Sequence, residues 1–258
     1  MNKTPFLKPM PLWMSVLFFG IPSAIAWISV YMVMPFLNKL GFPLFWNFWL
    51  CLTVPLAGML IASLVAFRLE GRPLTWEEFR IRFRLKPIHG KDWLWLLALV
   101  ASIGPYLLLR QTVSSWLASQ PGFEFPSYLP SILDPRLSQT SIPTEYLGVP
   151  LLGNWWILLV MFAVLFINIF GEESLWRGYI LPRQELAHGK LTWLVHGLLW
   201  AGFHSFWKWD VLAILPGALL LSYIASRLKN TTPGIIFHWL NNGLTMVVTT
   251  LGILGMII

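Results

Sequence analysis

The chain has 258 residues, 57% of them hydrophobic and 11% charged, with a net charge of +7. A soluble domain carries about a quarter charged residues, and several apolar runs here exceed the roughly 18 residues that mark a transmembrane helix. This excludes an ordinary soluble enzyme. The positive charge needs no nucleic acid to account for it, because Lys and Arg collect in the cytoplasmic loops of membrane proteins.

In chain order, Lys3 and Lys8 precede an apolar run containing Ala24-Ile25-Ala26, the pattern of a signal peptide with its cleavage site. The run continues to Leu37 and further spans follow, so it reads as a retained first helix. Apolar stretches predict spans at 11–37, 44–67, 93–118, 153–179, 191–207, 211–227 and 233–257. The expected fold is an all-α, polytopic transmembrane helical bundle of about seven spans, eight being the other count considered. Residues 1–258 form one domain, with a motif-bearing core at 153–257. Cys51, the single cysteine, lies inside the second run; it has no disulfide partner and reads as a packing residue.

The connections sort by charge. The 68–92 segment holds Arg68, Arg72, Arg80, Arg82, Arg84, Lys86 and Lys91, whereas 119–152 has Arg136 against Glu124, Asp134 and Glu145. With seven spans, Lys3, Lys8, Arg183, Lys190, Arg227 and Lys229 fall on the same side as the basic segment. That side is the cytoplasm, which gives a multi-pass protein of the cell (inner) membrane with a cytoplasmic N-terminus. In "LTWEEFRIRFRLKP", Phe79, Ile81, Phe83 and Leu85 alternate with basic residues. The preferred reading is a loop held against anionic headgroups, the other a short strand or partner-docking site. Residues 119–150 are too long for a simple turn and read as a lid or a tether.

Ionisable residues inside spans are costly and mark function by default. They gather in three places: Glu172, Glu173 and Arg177; His196 and His204; and His238 with Asn241 and Asn242. At 1.5 Å per helical residue, Glu172, His204 and His238 lie roughly 16, 21 and 13 Å from Arg183, Lys190 and Lys229 respectively. Three groups from three spans at similar depth point to one shared polar site. Glu173 and Arg177 are four apart and share a helix face, the spacing of an ion pair. Glu172 is rotated by about 100° and shares its face with Asn168 and Trp176, which leaves its carboxylate available as a general base. His238 and Asn242 also share a face and offer two donors for a developing oxyanion. His196 reads as a helix-packing residue, and Asn241 as packing or hydrogen-bonding glue between helices.

These residues resemble the CPBP family of intramembrane glutamic endopeptidases, which includes type 2 CAAX prenyl proteases and bacterial abortive-infection-type proteins. The family's EExxxR motif is present as "EESLWR", residues 172–177. Its FxxxH motif appears as "WAGFH", with Trp200 where Phe is usual and His204 retained, and its His-then-Asn motif is "HWLNN", His238 to Asn242. The likeness covers roughly 165–245. It implies packed helices around a polar cavity open to the cytosol, and hydrolysis without metal, cofactor or covalent intermediate. By that analogy Glu172 and His204 activate a water, and His238 and Asn242 hold the oxyanion. Glu173 and Arg177 support the site, and Trp200 keeps an aromatic wall. The implied partner is a membrane-associated peptide or protein within the lipid bilayer. Two rivals stand beside this reading. One is a zinc enzyme built on Glu and two His, against which the chain has no HExxH motif. The other is a non-enzymatic scaffold, immunity factor or proton-coupled transporter using the same polar cluster.

Overall fold

The computed structural model describes residues 7–137 and 141–256. Pro11 and Pro43 stand immediately before α1 (Leu12–Lys39) and α2 (Leu44–Leu69), where a missing N–H is harmless. The short helix α3 (Trp76–Arg82) starts at Thr75, whose side chain accepts from the Glu78 amide at 3.3 Å. Then come α4 (Asp92–Leu117), α5 (156–188), α6 (Thr192–Phe203), α7 (Val211–Leu228) and α8 (Thr232–Ile253). Strand β1 (Glu145–Tyr146) pairs with β2 (Val149–Pro150) in one small hairpin. The molecule is a bundle in which α6 packs along α7 and α1, while α5 packs between α2 and α8. Leu17, Leu97, Leu159 and Val247 remain exposed on its outer faces, as a lipid-facing bundle requires.

Among the described residues, five helical stretches are long and apolar enough to cross a membrane: Leu12–Lys39, Leu44–Leu69, Asp92–Leu117, Trp156–Trp207 and Val211–Leu228. The 52-residue stretch holds both the fourth and fifth expected spans, which part at Gly189 with φ of 54°. The expected seventh span is a 22-residue helix outside that set; it carries His238, Asn241 and Asn242 and is less apolar. The expected fourth span also continues past 179 to His188.

The basic segment departs from one of its expected forms, the short strand. Its alternating stretch begins inside the helix Trp76–Arg82 rather than in a strand, because Glu77 and Glu78 at the helix start and Arg80 and Arg82 at its end complement the helix dipole. The segment is largely exposed, but its Arg82–Phe83 step is buried. Arg82 is 3% exposed and Phe83 fully buried. Arg82 donates to Gly178 O at 2.8 Å and to Glu70 at 2.6 and 2.7 Å. Arg84 and Lys229 both pair with Glu185 at 2.8 Å, and Thr231 Oγ1 donates to Phe83 O at 2.8 Å. Residues 82–84 therefore form a wedge that ties α5 to the start of α8.

The 119–152 segment is packed down rather than loosely tethered. Lys208 Nζ donates to Gly122 O at 2.6 Å, Arg110 donates to Leu133 O at 2.7 Å, and Phe125 packs on Trp209 at 4.9 Å. Its hairpin turn uses Leu147 and Gly148 at positive φ, and Tyr146 and Leu147 are buried.

Candidate active site

The first motif sits where the backbone of α5 changes. The α-helix Trp156–Glu172 gives way to a π-helix over Glu173–Ile180, then returns to α at Leu181–His188. Such widened turns, with bonds to the fifth residue, recur at functional sites. The change falls between the two glutamates. Every residue of the π segment is buried, so this polar turn is held from all sides.

Glu172 is 5% exposed and both of its oxygens are held. Asn168 Nδ2 donates to Oε1 at 2.9 Å, and Trp200 Nε1 donates to Oε2 at 2.9 Å. The Asn168 contact begins a chain of amides. Asn242 Nδ2 donates to Asn168 Oδ1 at 3.0 Å, and Asn241 Nδ2 donates to Asn242 Oδ1 at 3.0 Å. Asn241 thus belongs to the polar network rather than to plain helix packing, and Asn168 joins the site. Its sequence signal was its place four residues before Glu172.

Glu173 forms the expected pair with Arg177, Nη1 to Oε1 at 3.2 Å, with both side chains fully buried. It is not reserved for Arg177, however. His238 Nδ1 lies 2.9 Å from the same oxygen. Neither contact has hydrogen-bond alignment, and Arg177 and His238 both approach the one Glu173 oxygen at close range. Gly234, one turn before His238, makes the approach possible: a Cβ there would collide with Glu173 Oε2. Arg177 Cζ also lies 4.0 Å from the Trp200 ring centroid, a cation–π contact on the other side.

His204 ends α6, where the helix tightens into a 3-10 turn. Its Nδ1 lies 2.9 Å from Trp200 O. A carbonyl only accepts, so Nδ1 carries the proton and a neutral ring keeps its lone pair on Nε2. His196 lies apart, fully buried, with Nδ1 2.6 Å from Gln184 Oε1.

Glu172, Trp200, His204, His238, Asn241 and Asn242 line one cavity of about 440 Å³. Its lining continues to Tyr106, Arg110, Leu133, Tyr146 and Asp210, beneath the 119–152 segment, and includes no residue of the basic wedge. On the orientation read from charge, this extends away from the cytoplasm, whereas the resemblance implies a cytosolic opening. On the same charge reading the Arg82–Arg84 wedge would lie at the cytoplasmic end. Arg110 and Asp210 were overlooked as lining residues. An arginine inside the apolar run 93–118 was the available signal.

Residues 154–244 match the family model described as type II CAAX prenyl endopeptidase Rce1-like. Over that stretch the chain is similar to the Rce1-like family. The family indicates an intramembrane endopeptidase of the CAAX-protease kind. All three motifs and the four residues proposed from them for catalysis fall inside the Rce1-like stretch, while Arg82, Arg110 and the 119–152 segment lie outside it. No curated protein and no solved structure matches the chain.

Proposed function

We propose that the chain is a glutamic-type, metal-independent endopeptidase that hydrolyses a peptide bond of a membrane-associated peptide or protein. The observation that carries this reading is the carboxylate of Glu172. It lies on a cavity wall, fixed by two donors, in the same cavity as a histidine whose free nitrogen is Nε2. An ionised carboxylate accepts about four hydrogen bonds, so the two held oxygens retain lone pairs for a water. Glu172, assisted by His204, takes a proton from that water as its oxygen attacks the scissile carbonyl carbon. The carbonyl oxygen becomes an oxyanion. Asn242 and His238 stand on the α8 side of the cavity to receive it. Because Nδ1 of His238 faces Glu173, Nε2 is the ring nitrogen left to meet the oxyanion. The C–N bond then breaks as the leaving nitrogen takes the proton held by Glu172 and His204.

Among the described residues, no three His, Cys, Asp or Glu side chains are grouped to hold a metal ion. The pairing of a water-activating carboxylate with hydrogen-bond donors is chemistry that works without one. The charge distribution supports a cell-membrane protein with a cytoplasmic N-terminus.

The test compares membrane peptidomes from cells carrying the native chain and Glu172→Gln. New peptide termini present only with the native chain are expected, since the isosteric amide cannot take the proton. Identical termini, or a cellular phenotype fully retained by Glu172→Gln, would replace this reading with a non-enzymatic scaffold.

A further inference from the structure

We infer that Trp200 is a positioning residue for Glu172, acting through its indole N–H at the place where the resembled family usually carries phenylalanine. The inference rests on the proposed role of Glu172 as the base. Three features of Trp200 are functions any aromatic wall performs or nearly performs. Its ring face carries the Arg177 guanidinium at 4.0 Å. It meets His204 edge to face at 5.0 Å and 89°, and its centroid lies 5.5 Å from that of His238. Its backbone oxygen accepts from His204 Nδ1, a bond independent of side-chain identity.

The fourth feature is one that phenylalanine lacks. Nε1 donates to Glu172 Oε2 at 2.9 Å, and both side chains are 5% exposed. Glu172 Oε1 is already held by Asn168 from the same helix, one turn earlier. A single donor fixes one oxygen but leaves the carboxylate free to swing about it. Donors from α5 and from α6 fix both oxygens and hence the plane of the group. The same indole then links the base, its arginine neighbour and both histidines into one rigid unit. Replacing the indole with phenyl preserves the face and the edge, and strands Oε2 in a buried setting without its donor.

Two measurements on the purified full-length chain in detergent test this. In the first, the indole ¹⁵N–¹H signal of Trp200 is assigned by its loss in Trp200→Phe. Glu172→Gln is expected to shift that signal while the other indole signals stay in place, because an amide oxygen accepts more weakly than a carboxylate. A Trp200 signal indifferent to Glu172→Gln overturns the inference. In the second, a synthetic peptide spanning a cleavage site lost in Glu172→Gln cells is the substrate. Trp200→Phe is expected to lower kcat by about ten- to a hundredfold, the range for loss of a hydrogen bond to a charged group, with KM little changed. Incorporation of 3-benzothienylalanine at 200, which keeps the indole shape but has no N–H, is expected to do the same and controls for misfolding. Native kcat in the benzothienyl protein overturns the inference. Absence of cleavage by the native chain counts instead against the proteolytic reading, and the indole signal alone then decides the contact.

Discussion

Gly178→Ala tests how the wedge shapes the catalytic turn. An ideal Cβ at 178 would stand 2.5 Å from Phe83 Cδ1, 3.1 Å from its Cβ and 3.2 Å from its Cα. Rotating the Phe83 ring relieves the first contact. It does not relieve the other two, because rotation leaves Cβ and the backbone Cα in place, so the π turn or the wedge must shift. Overpacking of this kind costs about 1–3 kcal/mol. Phe83→Ala alone removes a fully buried ring and costs about 3–5 kcal/mol. In the double variant the ring clash is gone and the new methyl fills part of the space, so the two costs do not add. A coupling of about 1–3 kcal/mol in the compensating direction is expected. The assay is unfolding of the native chain, both single variants and the double in one detergent. Gly178 lies six residues after Glu172, and a displacement near 1 Å can cost about a hundredfold in rate. Cleavage by Gly178→Ala is therefore expected to fall further than its loss of folded protein explains. A Gly178→Ala chain as stable as the native one, or strictly additive losses, would refute the close packing of wedge and turn.

Burial pushes the Glu70 carboxyl up, but hydrogen bonds and charge from Arg82 and Arg72 outweigh it and hold the group below its ordinary value. Its contribution to stability is therefore complete above the unfolded carboxylate value, about 4.3, and is lost as pH falls through the lower folded value. Glu70→Gln is expected to flatten the acid side of the stability–pH curve below about pH 4.3, and parallel curves for the two proteins would contradict this. Cleavage is expected to continue after exhaustive chelation; loss that added zinc restores would sink the metal-independent mechanism.

Much of the site was legible because its signals are local. Spacings of four residues place Asn168 beside Glu172 and Arg177 beside Glu173, and both contacts are present. The seven rods follow from apolar runs and their breaks. What sequence could not supply was the contact between distant elements. The Glu173–His238 contact joins α5 to α8 across 65 positions and depends on the absence of a side chain at Gly234. The indole bond from Trp200 to Glu172 depends on helix rotation, which spacing along one helix does not fix. Around the wedge, eight residues alternate with period two, which leaves a short strand as an alternative to a loop. Capping at Thr75 and the ordering of charge along Trp76–Arg82 decide the helix instead. Arg82 then finds a partner in a carbonyl that no local pattern reveals.

That carbonyl explains why the Rce1-like stretch needs the rest of the chain. A π turn widens the backbone and shifts its hydrogen bonds from the fourth to the fifth residue. The groups at its edges need partners from outside the helix, since a buried unpaired carbonyl is costly. Arg82 supplies one by donating to Gly178 O, while Glu70 holds the guanidinium from the far side. The wedge next seizes α8, through Thr231 to Phe83 O and through Asn230, whose side chain bonds the Lys86 backbone. One short segment, outside the family match, thereby sets the register of the two helices that carry Glu172 and His238. The motif residues of the cavity lie inside the Rce1-like stretch, but their spacing across the cavity is fixed from the N-terminal part of the chain. Cutting the Arg82 contact should therefore disturb the relation between the glutamates and His238 before it disturbs either helix alone.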